Sequence, residues 1–481
     1  MAARIPRRQP YWKSHAKGYA YVLFLCSAFS VMLIWGTKID DGVSQHLVTN
    51  PNPITRESLP SGLPSQATKA TTSDSPTYPF SPDDVVVMLK TSATTMWHRV
   101  PMHLSTSFAN QTLTPNLLIY SDTAASIGGR PVIDALANAS AALQASPDFE
   151  HRRALQQAAR DNLDLDDGTA DPAAAARLDK HKALPLAAHA AAHAAAAPRA
   201  AWFVYMPDDA FFFWPTLHAR LARFDPDDPV ALGALDGGGG GGAFAISRAA
   251  MRASFRTDPG LPRRWEKLAT ERRGGGQVLA TALASKGVPV LALPLAGSEG
   301  EGDAPPPARG LARLGVGERS WCDPLVGVGA VRQQDVAELD AWEHGFREQH
   351  GAEVVRYKDV FAGFVGPYLV AERDEWDNFA DEEHYSSSGE PGGGAGLADA
   401  ERRMRPWFSA DACRSACVGE ERCLQWRYAD GDCYHGSEVK RGHRVKYVGR
   451  MRSGWMMERI ERLMQKECRP PPPAKLQDLT L

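Results

Sequence analysis

Short apolar runs alternate with longer polar stretches through the middle of the chain. Residues 84–90 and 116–121 are rich in large apolar side chains, and residues 201–206 form a third run of this kind. Such runs are typical of buried strands, and the stretches between them, beginning with residues 91–104, have helical potential. The alternation predicts a mainly parallel α/β sheet flanked by helices.

Each of the three predicted strands ends in polar residues. Lys90 and Thr91 end the first strand, Asp122 follows the second, and Asp208 and Asp209 follow the third. Ligands of such sheets bind beyond the carboxyl ends of the strands. We therefore expect these side chains to converge on one binding site.

A longer apolar segment lies near the N-terminus. Residues 18–37 contain no charged side chain, and a helix rising about 1.5 Å per residue would span the roughly 30 Å core of a bilayer over that length. Basic residues precede the segment and acidic residues follow it, which predicts a single-pass type II signal anchor with residues 1–17 in the cytosol. A cleaved signal peptide is the alternative, but its apolar region would be shorter.

The remaining regions of the chain are predicted from their amino-acid composition. Residues 38–82 are rich in Pro, Ser, Thr and Asn without hydrophobic periodicity, which is typical of a disordered, extended stem. We expect a globular lumenal domain over residues 83–400, a cysteine-rich module over residues 401–468 and a Pro-rich tail over residues 469–481. The short membrane span suits the thinner membranes of the early secretory pathway, and we expect a Golgi membrane protein.

Charge and composition exclude one broad class of function. Of 481 residues, 43% are hydrophobic and 23% are charged, which suits a large folded core. The formal net charge of −3 leaves no basic excess for a polyanion, so nucleic-acid binding is not expected. Glycosylation sequons begin at Asn110 and Asn138 and fit a lumenal glycoprotein.

Two biased tracts carry no binding motif. The Ala-rich residues 187–201 can extend a helix, and residues 237–242, all glycine, read as a loop because the Lys-Ser/Thr pair of a P-loop is missing. His189 and His193 are four residues apart, but no glutamate lies between them as in a zinc protease motif.

The cysteines divide between the anchor and the lumenal part. Cys26 lies within the predicted span, and the others form an even set, as expected of disulfides in an oxidising compartment. They are Cys322, Cys413, Cys417, Cys423, Cys433 and Cys468. Four of them cluster around a predicted strand at residues 424–428, and spacing alone allows three pairings of the four. A zinc site is the alternative, although the spacings are wrong for the usual paired ligands.

The spacing of these four cysteines, with the strand after the third, resembles the core of PAN/apple modules. The resemblance implies a disulfide between Cys417 and Cys423 that closes a helix onto a strand. It also implies a second disulfide, between Cys413 and Cys433, that joins the ends of the module.

Further segments occur in the order typical of one enzyme family. They are Lys180-x-Lys182-x-Leu184-Pro185, residues 244–248, Trp321-Cys322-x-Pro324-Leu325, residues 357–361, Pro367-Tyr368 and residues 376–378. Together with the three strands and Arg99, they resemble the fungal branch of the fringe-like glycosyltransferases, family 31. The resemblance covers most of the ectodomain, and the family also carries a cysteine-rich tail.

The resemblance implies a GT-A fold, a nucleotide-sugar donor, usually a UDP-sugar, a glycan or glycoprotein acceptor and a manganese-like divalent ion. Hard oxygen ligands suit such an ion, which would bridge the donor diphosphate. The residues it implies near the nucleotide are Lys90, Thr91, Arg99 and Asp122, and those it implies on the metal are Asp208 and Asp209.

Three positions depart from the family pattern. Pro207 replaces the first acidic residue of the metal motif, and Gly276 stands where relatives carry the presumed acid/base aspartate. Val328 and Gly329 replace a Trp-His pair whose histidine could bind a metal. No residue can then be named as catalytic base, and a glycosyltransferase with an eroded active site is expected. The alternative is an inactive lumenal pseudoenzyme that binds glycans or proteins.

Overall fold

The computed structural model describes most of the chain after residue 83. The described residues are 84–109, 116–163, 171–193, 197–233, 242–271, 274–293, 296, 310–351, 354–389, 398–445 and 451–468, and they belong to one compact unit. The predicted cytosolic tail, anchor, stem and Pro-rich tail lie outside them, as do Asn110 and residues 237–241. Within the described ranges, no helix combines the length and apolar character needed to cross a membrane.

The strands are numbered in chain order. They are β1 (Val85–Lys90), β2 (Leu117–Ser121), β3 (Ala125–Ile127), β4 (Arg130–Asp134), β5 (Trp202–Pro207), β6 (Phe211–Phe212), β7 (Ala231–Gly233), β8 (Phe244–Ser247), β9 (Val290–Ala292), β10 (Val316–Gly317), β11 (Gly327–Val328), β12 (Glu372–Asp374), β13 (Trp376–Asp377), β14 (Glu383–Ser386), β15 (Gln425–Ala429), β16 (Asp432–Gly436), β17 (Glu438–Val439), β18 (His443–Arg444) and β19 (Met451–Trp455).

The α-helices are numbered in the same way. They are α1 (Met96–Ser105), α2 (Ala141–Gln144), α3 (Glu150–Arg160), α4 (Pro172–Asp179), α5 (Ala183–His193), α6 (Trp214–Leu221), α7 (Arg248–Met251), α8 (Leu261–Glu271), α9 (Gly275–Ala284), α10 (Gln333–His350), α11 (Tyr357–Val360), α12 (Asp399–Arg403), α13 (Ala410–Gly419) and α14 (Met457–Met464).

The central sheet has the strand order β3-β4-β2-β1-β5-β8-β7-β9. β1 pairs in parallel with β2 and β5, and β2 pairs in parallel with β4, whereas β8 is antiparallel to both β5 and β7. The prediction of a mainly parallel α/β sheet flanked by helices is confirmed. The three strands predicted from apolar runs are β1, β2 and β5, and each begins one residue later than predicted.

Helices cover both faces of this sheet. As a consequence, every residue of β1 is buried. Val86 and Met88 belong to an apolar cluster with residues of α5, α8 and α9. Val85, Val87 and Leu89 belong to a second cluster, with residues of α1 and α6. Strands buried on both faces read as continuous apolar runs, which explains the sequence pattern.

The Ala-rich tract is helical only in part. α5 includes Ala187 and ends at His193, and the residues from Ala197 to Ala201 are not helical. Pro198 lies in this second part, and a proline lacks the N–H that an α-helix requires there.

A second, antiparallel sheet lies toward the C-terminus, with the order β12-β19-β15-β16-β14. Its central strand β15 corresponds to the strand predicted after the third clustered cysteine. β12 and β14 precede residue 401, so this sheet begins before the predicted start of the cysteine-rich module.

Three disulfides hold this part of the chain. They are Cys413–Cys433, Cys417–Cys423 and Cys322–Cys468. The pairing implied by the PAN/apple resemblance is confirmed. His435 lies close to Cys413 and Cys433, but sulfur atoms in a disulfide are not thiolate ligands, so the zinc alternative is wrong.

Candidate functional site

The polar residues at the ends of β1, β2 and β5 meet at one edge of the central sheet. Lys90 lies opposite Tyr120 on β2 and opposite Pro207 on β5, so the residues that follow each strand are neighbours. We call this group of side chains the carboxyl edge. It consists of Lys90, Thr91, Thr95, Arg99, His103, Asp122, Asp179, Lys182, Asp208 and Asp209.

Two lysines and two carboxylates form an ion network at the carboxyl edge. Lys90 Nζ lies 2.5 Å from Asp179 Oδ2, and Lys182 Nζ lies 3.1 Å from both Asp179 Oδ1 and Asp122 Oδ2. Lys182 also donates a hydrogen bond to the Thr91 carbonyl at 2.9 Å. The side chains of Lys182 and Asp122 are only 1% and 2% exposed, so their charges depend on each other for stabilisation.

In this network, the attraction between opposite charges shifts the pKa values more than burial does. Burial works to lower the pKa of Lys90 and Lys182, but the neighbouring carboxylates outweigh it and raise both pKa values above their ordinary range. For Asp179, burial works to raise the pKa, but the two ammonium groups hold it well below its ordinary value. The three groups are therefore ionised at neutral pH.

Asp122 also fixes the loop that leads from β1 into α1. Its Oδ1 accepts hydrogen bonds from the backbone N–H of Ala93 at 2.7 Å and from the Ser121 hydroxyl at 3.2 Å. With Oδ2 on Lys182, both carboxylate oxygens are engaged by protein groups. The end of β2 is thereby tied to the end of β1.

Asp208 accepts hydrogen bonds from side chains of one segment, residues 91–103. The hydroxyls of Thr91 and Thr95 donate to Oδ2 at 2.6 and 2.7 Å, and Arg99 donates to Oδ1 at 3.0 Å. His103 Nε2 donates to the Asp208 carbonyl at 2.9 Å. Burial opposes ionisation of Asp208, but Arg99 and the two hydroxyls hold its pKa below the ordinary value.

Asp209 is the more accessible aspartate of the pair. Its side chain is 27% exposed, against 7% for Asp208. Arg99 Nη1 lies 3.0 Å from Asp208 Oδ1 and 3.5 Å from Asp209 Oδ2, so one cation is shared by both carboxylates.

As placed, the two aspartates do not fit a divalent metal site. Both oxygens of Asp208 accept bonds from protein donors, and Asp209 faces the Arg99 guanidinium. Among the described residues, no further carboxylate, histidine or cysteine completes a ligand group with them. Hard divalent ions take about six oxygen ligands, and we assign no chemical step to a metal here.

Gly276, where the resemblance places an acid/base aspartate, lies against the ring of Phe244. Phe244 begins β8 and pairs with Tyr205, near the carboxyl end of β5. A Cβ atom at Gly276 would lie 3.2 Å from Phe244 Cε2, and one at Gly233 would overlap the same ring at 2.2 Å. The two glycines therefore leave room for an aromatic ring, and no carboxylate is present at this position.

The third departure also lies beside Asp209. Val328 is fully buried in β11, which pairs with β6, and β6 begins two residues after Asp209. The Gly329 N–H donates to the Ala296 carbonyl, and the Val331 N–H donates to the Asp209 carbonyl, both at 2.8 Å. This segment touches Asp209 through its backbone, and neither Val328 nor Gly329 has a side chain that could bind a metal.

Sequence reasoning did not assign four members of the carboxyl edge to the site. Lys182 was noted only as part of the Lys180-x-Lys182 segment, and Asp179, Thr95 and His103 were missed. Asp179 directly precedes the Lys180-x-Lys182 segment, and that position was its only signal. Thr95 and His103 could have been found from spacing, because Thr91, Thr95, Arg99 and His103 recur every four residues, which places them along one side of a helix.

Comparison with known proteins adds no further support. The chain matches no protein-family model and no curated protein.

Proposed function

We propose that the described α/β domain is a GT-A-type glycosyltransferase domain of the fringe-like kind with an eroded active site. It would bind a nucleotide-sugar donor, such as a UDP-sugar, and a glycan or glycoprotein acceptor. The observation that supports this most is the carboxyl edge, where charged and hydroxyl side chains meet at the place at which open α/β sheets bind ligands. Because a fold alone does not determine function, the proposal depends on these side chains and on the resemblance.

Lys90 and Lys182 give the edge an anion site. Their ammonium groups lie 2.5 and 3.1 Å from the Asp179 carboxylate, which therefore occupies the position of an anion. The Asp179 side chain is 26% exposed, so solvent and solutes reach it. A donor diphosphate carries the same sign of charge and can displace Asp179, since charge-assisted hydrogen bonds to phosphate are strong.

Transfer requires more than donor binding. The acceptor oxygen must bond to the anomeric carbon while its proton moves to a base, and the diphosphate leaves with the electrons of the broken C–O bond. Gly276 and Val328 supply no proton acceptor. We therefore expect slow transfer at best.

A lumenal location is part of the proposal. Disulfides are typical of oxidising compartments, and three are present. Residues 18–37 would supply the type II anchor. The described residues would then lie in the Golgi lumen.

A non-catalytic binding protein is the second candidate. The observation that favours it is the packing of Phe244 against Gly276 and Gly233, which replaces a polar surface by an apolar ring. Such a protein would keep the ion network for stability and bind glycans or partner proteins through the old cleft.

Donor turnover separates these candidates. The full-length chain would be incubated with a panel of UDP-sugars and oligosaccharide acceptors, with UDP release and donor binding measured in parallel. Acceptor-dependent UDP release supports the transferase, and donor binding without release supports the non-catalytic protein. Asp179→Asn removes the competing charge and should tighten donor binding. If neither binding nor release is detected, the carboxyl edge is not a donor site.

A further inference from the structure

A cavity of about 460 Å³ lies on one face of the central sheet, between β2, β4 and the helices α5, α8 and α9. Its walls are largely apolar and include Leu184, Pro185, Pro259, Pro262, Trp265 and Val278. All carboxyl-edge residues belong to the described part of the chain, and none of them lines this cavity. Cavities of this size with apolar walls and a few polar groups are typical sites for small molecules.

The charged side chains around the cavity are already engaged by other protein groups. Their contacts are Asp134 with Arg152 at 2.7 Å, Lys180 with Asp148 at 2.9 Å, Arg263 with the Asn138 carbonyl at 3.3 Å, and Glu266 with the Ser140 N–H at 3.0 Å. An ionised ligand would lose its hydration here without gaining a free counter-charge. The cavity therefore favours an uncharged ligand.

Trp265 offers such a ligand a hydrogen-bond donor. Its ring packs against the apolar cluster on this face of the sheet, and its indole N–H has no partner among the described residues. The buried indole N–H groups of Trp202, Trp214 and Trp407 also lack a partner there, but these residues do not line the cavity, and the indoles of Trp376 and Trp455 donate to backbone carbonyls at 2.9 and 3.1 Å. An indole with a packed ring and an open N–H can bind a ring through its face and an acceptor through its edge.

We propose that this cavity binds a small uncharged molecule that combines a flat ring with one hydrogen-bond acceptor, as aromatic amides do. The ring lies against the flat surfaces of Trp265 and the prolines, and the acceptor binds the indole N–H. This inference does not depend on the proposed transferase activity, because the two sites share no side chain.

Acetanilide is a suitable probe, since it is uncharged and carries one carbonyl beside a phenyl ring. Its binding to the full-length chain in lipid nanodiscs is measured by saturation-transfer NMR. Ala188→Phe places a ring in the cavity from α5 and should weaken binding by about tenfold or more, because the new ring takes up space that the ligand ring would fill. Ala280→Phe is the matched control, since Ala280 is also half-buried against the same apolar cluster but does not line the cavity.

Two further comparisons define the ligand class. Trp265→Phe keeps a ring but removes the N–H, and should weaken acetanilide binding by about threefold to tenfold, the effect of one hydrogen bond. Benzoate tests charge, and hexanamide replaces the ring by an aliphatic chain. The proposal is wrong if Ala188→Phe binds acetanilide like the wild type, or if benzoate or hexanamide binds at least as tightly. If Ala188→Phe fails to fold, Trp265→Phe and the two other probes still test the proposal.

Discussion

The candidate site has two halves that are built in different ways: the carboxyl edge, and an apolar half that consists of Phe244, Gly276 and Val328. On the side of β1, β2 and β5, charges are packed in pairs, and Lys182 contacts both Asp122 and Asp179. On the side of β8, α9 and β11, the ring of Phe244 lies directly against Gly276. One half is an ion network, and the other is an apolar surface.

Under the proposed function, this difference implies that binding residues and catalytic residues would be lost at different cost. Removing one member of a buried ion pair leaves its partner charged and unpaired, which costs about 3–5 kcal/mol. Replacing a single carboxylate by glycine beside an aromatic ring leaves no such partner. An ion network can therefore persist for stability alone, whereas a catalytic base has no structural reason to persist. For the proposed function, Gly276 is therefore more informative about activity than the ion network is.

The largest expected effect comes from breaking the ion network. Lys182→Met keeps much of the side-chain length but leaves Asp122 and Asp179 short of one cation, and should lower the free energy of unfolding by about 3–5 kcal/mol. Urea unfolding followed by circular dichroism measures this loss. Lys286→Met is the control, because its pair with Asp258 is more exposed and should contribute less than about 1 kcal/mol. Equal losses in both variants would contradict a special role for the network.

A buried carboxyl whose burial outweighs the effect of the nearby Arg347 sharpens the comparison. Glu343 on α10 is 7% exposed, and within the described part of the chain its Oε1 has no hydrogen-bond partner. Burial raises the pKa of Glu343 from 4.5 to about 7. The carboxyl is protonated in both states below the lower value, and as the pH rises toward the higher value the unfolded chain loses its proton first. Folding stability therefore falls across this pH range.

Glu343→Gln should remove that loss. We expect the variant to exceed the wild type by about 3 kcal/mol at about pH 8 and by little at about pH 4, as judged by urea unfolding at both pH values. Glu348→Gln, on the exposed side of the same helix, should change stability little at either pH. An advantage of Glu343→Gln that does not vary with pH would show that its charge is not the cause.

A smaller effect is expected when a carboxylate is introduced into the apolar half. Gly276→Asp places a Cβ atom against Phe244 and should cost about 1–3 kcal/mol by overpacking. Phe244→Ala in the same chain should relieve part of that cost, which a double-mutant cycle measures in thermal unfolding. Gly274→Asp is the control, because nothing lies within 4 Å of a Cβ there and an aspartate suits the N-cap of α9. No coupling between positions 276 and 244 would contradict the packing described for this half.

The smallest expected effect lies at Asp209. Asp208→Asn disturbs bonds to Arg99 and two hydroxyls and should cost about 1–3 kcal/mol, whereas Asp209→Asn should cost less than about 1 kcal/mol, since this partly exposed side chain has one long ion pair. Chemical denaturation of both variants gives the ranking. A larger loss for Asp209→Asn would mean that Asp209 has a structural role not visible in its contacts.

The three strands at the centre of the eight-stranded sheet could be predicted because they are continuous apolar runs. β1, β2 and β5 were each located to within one residue at the start, and the parallel arrangement followed from the stretches between them. Their polar ends converge because parallel strands share an edge. The paired cysteines of the C-terminal module were predicted through their resemblance to a known spacing.

The contacts within the site could not be predicted in the same way. Lys90 and Asp179 are 89 residues apart, and nothing local in the sequence specifies that they pair. The space filled by Phe244 depends on two glycines from other elements, at positions 233 and 276. Cys322 and Cys468 are separated by 146 residues, so their pairing depends on the whole fold.

Thermal unfolding tests most directly whether the carboxyl edge binds a donor. The full-length chain is heated with UDP, with a panel of UDP-sugars and with manganese, separately and together, since a ligand of the native state raises its apparent stability. We predict that UDP or a UDP-sugar raises the unfolding midpoint, that manganese adds little, and that Lys90→Met abolishes the rise. An unchanged midpoint with every nucleotide, or a rise that requires manganese, would contradict the account.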